Sequence, residues 1–475
     1  MVLFAGAMVL PVLVAVGYGE TDVAVAFFAS ALFAVFIGGG AVMATRGSES
    51  PPSRRDGFVL AVLVWGVLPL FGAMPLFFSG AMPTVSAAYF EALSGLTTTG
   101  ATVLADIEKA PRAILFWRAL LQWLGGLGTL VLAIAFLALT NVGGSGIYRS
   151  AIPGGERQSL IAAVRHAIDA IWWIYALLTA ICAVLLWAGG LPPFDAVCHA
   201  FSALSTGGFS TRGASVAAFD SRPAELVLMI FMILGAMNFT LHWAAVHGRF
   251  RVYREDPEPR YLLAMILAAT LLLMIGLAAI GGRAWSDSLW QGLFAAVSVV
   301  TTTGFTGHGL FGLDAPVPIS VSMLVLVLVL VGGCAGSTAG GLKILRLAVL
   351  LKHSNRELAR LSFPRGVVTV RYGDSRLQSE TMQGAWAFFA VFMICFGIVA
   401  LGVAAGGVDF RTAVAMAAAA VSNAGPTLQI IAANSAPDFD ALSGGPRLFV
   451  MAGMLLGRVE LFAVLSLLSP AFWRR

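Results

Sequence analysis

The sequence predicts an all-α membrane protein: four parallel, pseudo-symmetric helix–half-helix–helix repeats around a central pore, preceded by an N-terminal pair of transmembrane helices. Three observations predict it. First, 59% of the 475 residues are hydrophobic and only 11% are charged, against roughly 25% charged in a soluble domain. Second, apolar runs of about 20 residues, enough to cross a bilayer, recur along the chain. Third, a short apolar segment followed by a Thr/Gly or Asn/Gly stretch occurs four times: SGLTTTGAT at 94–102, SALSTGGFS at 202–210, SVVTTTGFT at 298–306 and AVSNAGPT at 420–427.

The long runs lie near 2–18, 23–44, 57–79, 113–139, 167–189, 224–246, 261–281, 317–341, 383–404 and 447–470. The first begins at the N-terminus without a small-residue cleavage site, so it reads as a span and not a signal peptide. Four segments near 84–97, 194–205, 287–301 and 409–422 are too short to span. Each ends in one of the four stretches, and re-entrant half-helices account for them. The expected units are a two-helix extension (1–56) and repeats at 57–146, 147–255, 256–366 and 367–475.

Charge sets the orientation. The loops at 45–56, 141–165, 247–260 and 343–380, with the C-terminal tail, carry 20 of the 29 Lys and Arg. The turn at 19–22 on the opposite side carries none. The basic side is therefore cytoplasmic, with both termini. The net charge of +5 is spread over short loops and points to no nucleic-acid partner.

The four stretches align on Gly100, Gly208, Gly304 and Gly425, separated by 108, 96 and 121 residues. Each unit crosses twice, so all four share one orientation, as parallel repeats about an axis along the membrane normal. Thr and Gly are poor helix formers. Irregular backbone at membrane depth is tolerated only where protein buries it or it lines a water-filled path. Four such strips meeting on one axis would offer carbonyl oxygens in place of a cation's water. Glycine keeps side chains out of the way. Each half-helix would aim the negative end of its dipole at the same point. One such turn alone is usually a kink or a close helix contact; the recurrence decides for the pore.

With these residues in view, the chain resembles the TrkH/KtrB family of potassium transport subunits, within the superfamily of K+ transporters. The resemblance spans nearly the whole chain. It rests on AYFEALSGLTTTGATVL, LFWRALLQWLGGLG, FDAVCHAFSALSTGGFSTR, VSVVTTTGFTGHG, GGCAGSTAGGLKILR, VSNAGPTLQ and GRVELF. It implies a gated potassium-uptake subunit of a Trk-type system in the inner membrane, working as a homodimer with a cytoplasmic nucleotide-binding regulator similar to TrkA. The filter it implies comprises Thr98, Thr99, Gly100, Thr206, Gly207, Gly208, Thr302, Thr303, Gly304, Asn423, Ala424 and Gly425. Potassium is the transported ion, bound at these residues only, and no organic cofactor is implied. Relatives that pass sodium often replace one filter glycine by serine, and here all four are glycine. A sodium-permeable or Na+/H+-coupled transporter of the same fold is the alternative. The fourth stretch lacks the threonines, so the ring is expected to be unequal.

The segment GGCAGSTAGG at 332–341 has five glycines in ten residues and cannot hold a regular helix across a bilayer. It is no P-loop, because Leu342 stands where the phosphate-binding lysine belongs. It reads either as a small-residue packing seam or, as the resemblance implies, as an intramembrane loop that obstructs the path beneath the filter. The gate residues are then Gly332, Gly333, Gly336, Ser337, Thr338, Gly340 and Gly341, with Lys343 and Arg458. An arginine within the last apolar run is costly unless it faces a partner or a cavity. Glu460, two residues on, cannot face it on the same helix.

The remaining candidates are weaker. Loop 343–380, with eight basic residues, serves either lipid headgroups or docking of the regulator. Glu91 is expected to brace the filter or tune its mouth. Asp106, Glu108, Asp220, Asp314, Asp438 and Asp440 fall on the outer side. His199, His242 and His308 make no metal spacing, and the four cysteines read as buried free thiols. An enzyme would need a catalytic set, yet the chain has no HExxH, no GxSxG and no paired intramembrane aspartates.

Overall fold

The computed structural model describes residues 1–46, 54–139, 157–308, 317–363, 369–373, 375–377, 379–432, 438–442, 444–459 and 473. The N-terminal extension folds as Val2–Ala7 and Val9–Tyr18, then turns at Gly19 (φ +75°) into Thr21–Thr45. Glu20 in that turn accepts hydrogen bonds from the amides of Arg112 (2.6 Å) and Ala113 (3.0 Å). It thereby satisfies two orphan donors at the start of Arg112–Leu139. Trp117 pins the same junction: its ring packs on Phe4 and Phe27, and its indole N–H donates to the Gly72 carbonyl at 3.0 Å.

Four repeats follow. The first is Arg54–Phe78, the half-helix Val85–Leu96 and Arg112–Leu139. The second is Arg157–Ala188, the half-helix Pro193–Leu204, then Arg222–Ala236 and Phe239–Val246. The third is Pro257–Ile275, the half-helix Trp285–Val300 and Ile319–Val331. The fourth is Ser379–Ala404, the half-helix Phe410–Val421 and Gly445–Arg458. The half-helices begin on local signals: Thr84 and Asp409 accept N-cap hydrogen bonds from Ala87 and Thr412, and Pro193 sits at the first helical position. The fourth half-helix is nearly all alanine at its core, Ala417–Ala420 being fully buried. That slimness lets Gly457 of the last helix come so close that a methyl there would lie 2.2 Å from the Val421 carbonyl oxygen.

Six described helices are long and apolar enough to cross a membrane, and a seventh span forms if one bent pair is counted as one. Of the four other expected spans, Val2–Tyr18 is apolar but short, and three differ for physical reasons. The run at 224–246 bends by 104° between Ala236 and Phe239, where Asn238 caps a new helix through Thr240. The run at 317–341 is helical only to Val331, where the glycines begin. Of 447–470, the helix is described to Arg458 and the remainder lies outside the described residues. A short antiparallel hairpin, Arg371–Tyr372 with Ser375–Arg376, is the one strand pair among the described residues of loop 343–380.

Candidate functional site

All four half-helices end in the same backbone turn. Thr98, Thr206, Thr302 and Asn423, two residues before the aligned glycines, adopt left-handed φ of 52°, 49°, 57° and 51°. Their amides donate three residues back, to Gly95, Ala203, Val299 and Ala420; the next amides donate five back, to Ser94, Ser202, Ser298 and Ala419. This pairing is the Schellman motif, which normally takes glycine at the left-handed position. Here β-branched threonine holds three of the four places, an outlier conformation for such a residue. Gly100, Gly208 and Gly304 are also left-handed, at 76°, 80° and 84°, whereas Gly425 is not.

The four stretches close a ring in sequence order. A methyl added to Gly100 would lie 1.9 Å from the Gly207 carbonyl oxygen, and one on Gly208 1.9 Å from that of Thr303. A methyl on Gly304 would meet Pro426 and the Thr427 amide, and one on Gly425 the Ala101 amide at 2.2 Å. The Gly425 amide donates to the Thr99 carbonyl at 2.6 Å. The first repeat thus abuts the second, the second the third, the third the fourth and the fourth the first. The twelve residues singled out from sequence lie within these four stretches and are buried.

Side chains behind the ring hold it. Glu91, in the first half-helix, pairs with Arg118 at 2.7 Å, both fully buried. Glu91 also accepts from the Thr102 hydroxyl and the Val103 amide. Arg118 reaches across to the Ser210 carbonyl at 3.3 Å and lies over the Phe209 ring, tying the first repeat to the second. Gln122 accepts from the Ser202 hydroxyl and the Phe209 amide and packs against Gly207. Glu225 has the matching role in the next repeat, accepting from the Trp290 indole and the His308 amide. Hydroxyl pairs Thr97–Thr99 and Thr301–Thr303, each 2.8 Å apart, stiffen the first and third stretches. Asn423 stands in for a threonine by donating to both the Thr99 hydroxyl and the Met454 carbonyl.

Residues 332–341 form a loop pinched at its neck. Leu342, Lys343 and Ile344 donate back to Leu330, Val331 and Gly333, and a methyl on Gly332 would collide with the Gly340 carbonyl. Beyond the neck the chain resumes as the helix Ile344–Ser362. The loop satisfies its polar backbone on the break in the second repeat: Cys334 donates to Ala236, Thr338 to Gly235, and Phe239 to Gly336. It also presses on the underside of the ring. The Thr338 hydroxyl donates to the Leu204 carbonyl at 2.9 Å, the Thr206 hydroxyl reaches Thr338, and the Gly340 amide donates to the Thr302 hydroxyl at 2.7 Å. A methyl on Gly340 would lie 1.9 Å from the Ser422 carbonyl.

Arg458 is 5% exposed and donates through Nη1 to the Thr338 carbonyl at 2.8 Å. Its Nε and Nη2 make no hydrogen bond among the described residues; Glu460 lies outside them. Lys343, left-handed at φ +76°, donates its ammonium to the Ala339 carbonyl. Glu258 accepts from the Ala335 amide at 2.7 Å and clamps the loop from the third repeat's first helix.

The outer carboxylates are largely occupied with local structure. Asp106 pairs with Lys109, whose hydrogen bond holds its carboxyl below the usual carboxylate range. Glu108 accepts from the Gly213 amide, Asp220 faces His308, and Asp438 accepts from the Asp440 amide. Asp440 lies 3.9 Å from Arg447, and Asp314 falls outside the described residues. His199 bridges the Asp195 carbonyl and Ser210, and His242 the Leu234 carbonyl and Tyr253. Among the described residues no cluster of His, Cys, Asp or Glu could hold a metal, and all four cysteines are buried and free.

Arg118, Gln122, Glu225 and Pro426 were not singled out from sequence. Arg118 carried a usable signal: a charge in the middle of the apolar run LFWRALLQW, the same anomaly that marks Arg458.

A family model described as "TrkH: Cation transport protein" matches residues 24–474. The chain is 38% identical to the Trk system potassium uptake protein TrkH of Salmonella typhimurium, over all of this chain and 97% of that one. It is 34% identical to TrkG of Escherichia coli, over 99% and 96% respectively. The crystal structure of the potassium transporter TrkH from Vibrio parahaemolyticus superposes with a TM-score of 0.89, at 36% identity and covering 100% and 97% of the two chains.

Proposed function

Because this chain belongs to the TrkH family of cation transport proteins and is a Trk-type potassium uptake subunit, we propose that potassium passes through the ring of residues 98–100, 206–208, 302–304 and 423–425. The ion sheds water at the ring and takes backbone carbonyl oxygens in exchange. Four half-helix C-termini add negative potential there. The observation that carries this reading is the shared left-handed turn at Thr98, Thr206, Thr302 and Asn423, followed by strips in cyclic contact.

The loop 332–341 and Arg458 form the gate. The loop bears on three of the four half-helix ends, and the Arg458 guanidinium sets a positive charge beneath the ring. Opening displaces the loop toward the cytoplasmic side and carries the helix Ile344–Ser362 with it. A nucleotide-binding regulator similar to TrkA docks on the basic loop 343–380 and supplies that movement. The subunit works as a homodimer in the inner membrane with both termini cytoplasmic.

Rubidium and sodium flux into proteoliposomes tests the filter. Gly208→Ser and Gly304→Ser are expected to lower the potassium-to-sodium permeability ratio, read as a shift in reversal potential. Folded variants with the wild-type ratio would contradict the reading, and a wild-type protein equally permeable to sodium would favour the sodium-conducting alternative.

A further inference from the structure

The ring is closed by a different chemistry at one seam. At two seams the neighbour of an aligned glycine is the carbonyl of the preceding residue in the next stretch, Gly207 beside Gly100 and Thr303 beside Gly208. At a third, the Thr99 carbonyl is tied to the Gly425 amide. The corresponding carbonyl of the fourth stretch, that of Ala424, is turned into its own 3-10 turn, where it accepts from both the amide and the hydroxyl of Thr427. Pro426 takes its place. A methyl on Gly100, Gly208 or Gly304 would come within 3.1, 3.0 and 3.0 Å of the Pro426 ring. One five-membered ring in reach of three of the four glycines must lie between them. It is partly exposed, and follows Gly425, whereas the gating loop touches Ser422 on the other side of the stretch.

We propose that Pro426 is a specificity-determining residue: its ring stands in the ion path on the outer side of the four glycines and sets the largest cation that enters. The inference rests on the ring of four stretches being the ion filter. A hydrocarbon wedge offers no ligand, so it narrows the entry by volume alone. The three carbonyl-bearing stretches and the wedge together favour an ion the size of potassium over a larger one.

The full-length protein in proteoliposomes tests this with three substitutions at one position and one control. Pro426→Ala removes the wedge and is expected to raise the caesium-to-potassium flux ratio about tenfold, the change that follows when a barrier falls by about 1.4 kcal/mol. Pro426→Val keeps the volume and is expected to exclude caesium as the wild type does. In Pro426→Cys, a cationic methanethiosulfonate reagent added outside is expected to abolish potassium flux, while the wild type, whose described cysteines are buried, is unaffected. Gly208→Ser reports on the ring itself. If Gly208→Ser shifts potassium-over-sodium selectivity but the modified Pro426→Cys conducts normally, the wedge is refuted and the ring stands. An alanine variant with the wild-type caesium ratio, or a valine variant that matches alanine, also overturns the wedge. If Gly208→Ser has no effect on selectivity, the ring reading itself fails and the wedge with it.

Discussion

Threonine does the unusual work in the ring, and a buried ion pair braces it from behind. Threonine in the left-handed region is disfavoured by about 1–2 kcal/mol, and the chain accepts this at Thr98, Thr206 and Thr302. The hydroxyls return something: Thr206 and Thr302 contact the loop 332–341, which glycine could not. Behind them, the Glu91–Arg118 pair is buried on both sides. Removing one partner of such a pair strands the other charge and costs about 3–5 kcal/mol. Arg118→Met should therefore lower the melting temperature of the purified protein sharply, and Glu91→Gln combined with Arg118→Met should recover some of the loss. A single variant that melts with the wild type would show that the pair is not what joins the first two repeats. The aligned glycines were legible in the sequence because they recur with the half-helices before them. The left-handed threonines were not, since no local preference marks them. Neither was Pro426, which looks like an ordinary turn residue until three repeats are brought around it.

The interrupted helix is the element on which the proposed gating turns. The apolar run ISVSMLVLVLVLV at 319–331 reads as a span continuing to 341, and only the glycines warn otherwise. The complementary break at 237–238 was hidden, because GAMNFTLHW stays apolar and its one cue is the capping Asn238. Each break leaves backbone groups that the other satisfies, which is why two irregular segments lie side by side at membrane depth. The contact of loop and ring is tight at Gly340. Gly340→Ala should push the loop from Ser422 and raise rubidium uptake without the regulator. Arg458→Ala should do the same by removing the charge beneath the ring. Regulator-free uptake at the wild-type level in both folded variants would mean that the loop and Arg458 do not close the path.

At the scale of the molecule, the sequence carried the fourfold recurrence and the half-helix positions to within a few residues. Composition and spacing suffice for these because the bilayer leaves the backbone few choices. The pairing of repeats into a ring needed three dimensions. The proposed orientation, with the basic loops on the cytoplasmic side, predicts that a fluorescent protein fused after Arg475 will fluoresce in intact cells; a fusion active only on the outer face would invert the orientation. Transport through the ring requires a dehydrated ion to rest where the four stretches meet. Anomalous diffraction from crystals grown in rubidium or thallium measures this directly. An anomalous peak is expected on the axis enclosed by Thr99, Gly207 and Thr303, beside Gly100, Gly208, Gly304 and Gly425. Well-ordered stretches with no peak between them, or a peak only elsewhere in the molecule, would refute the filter.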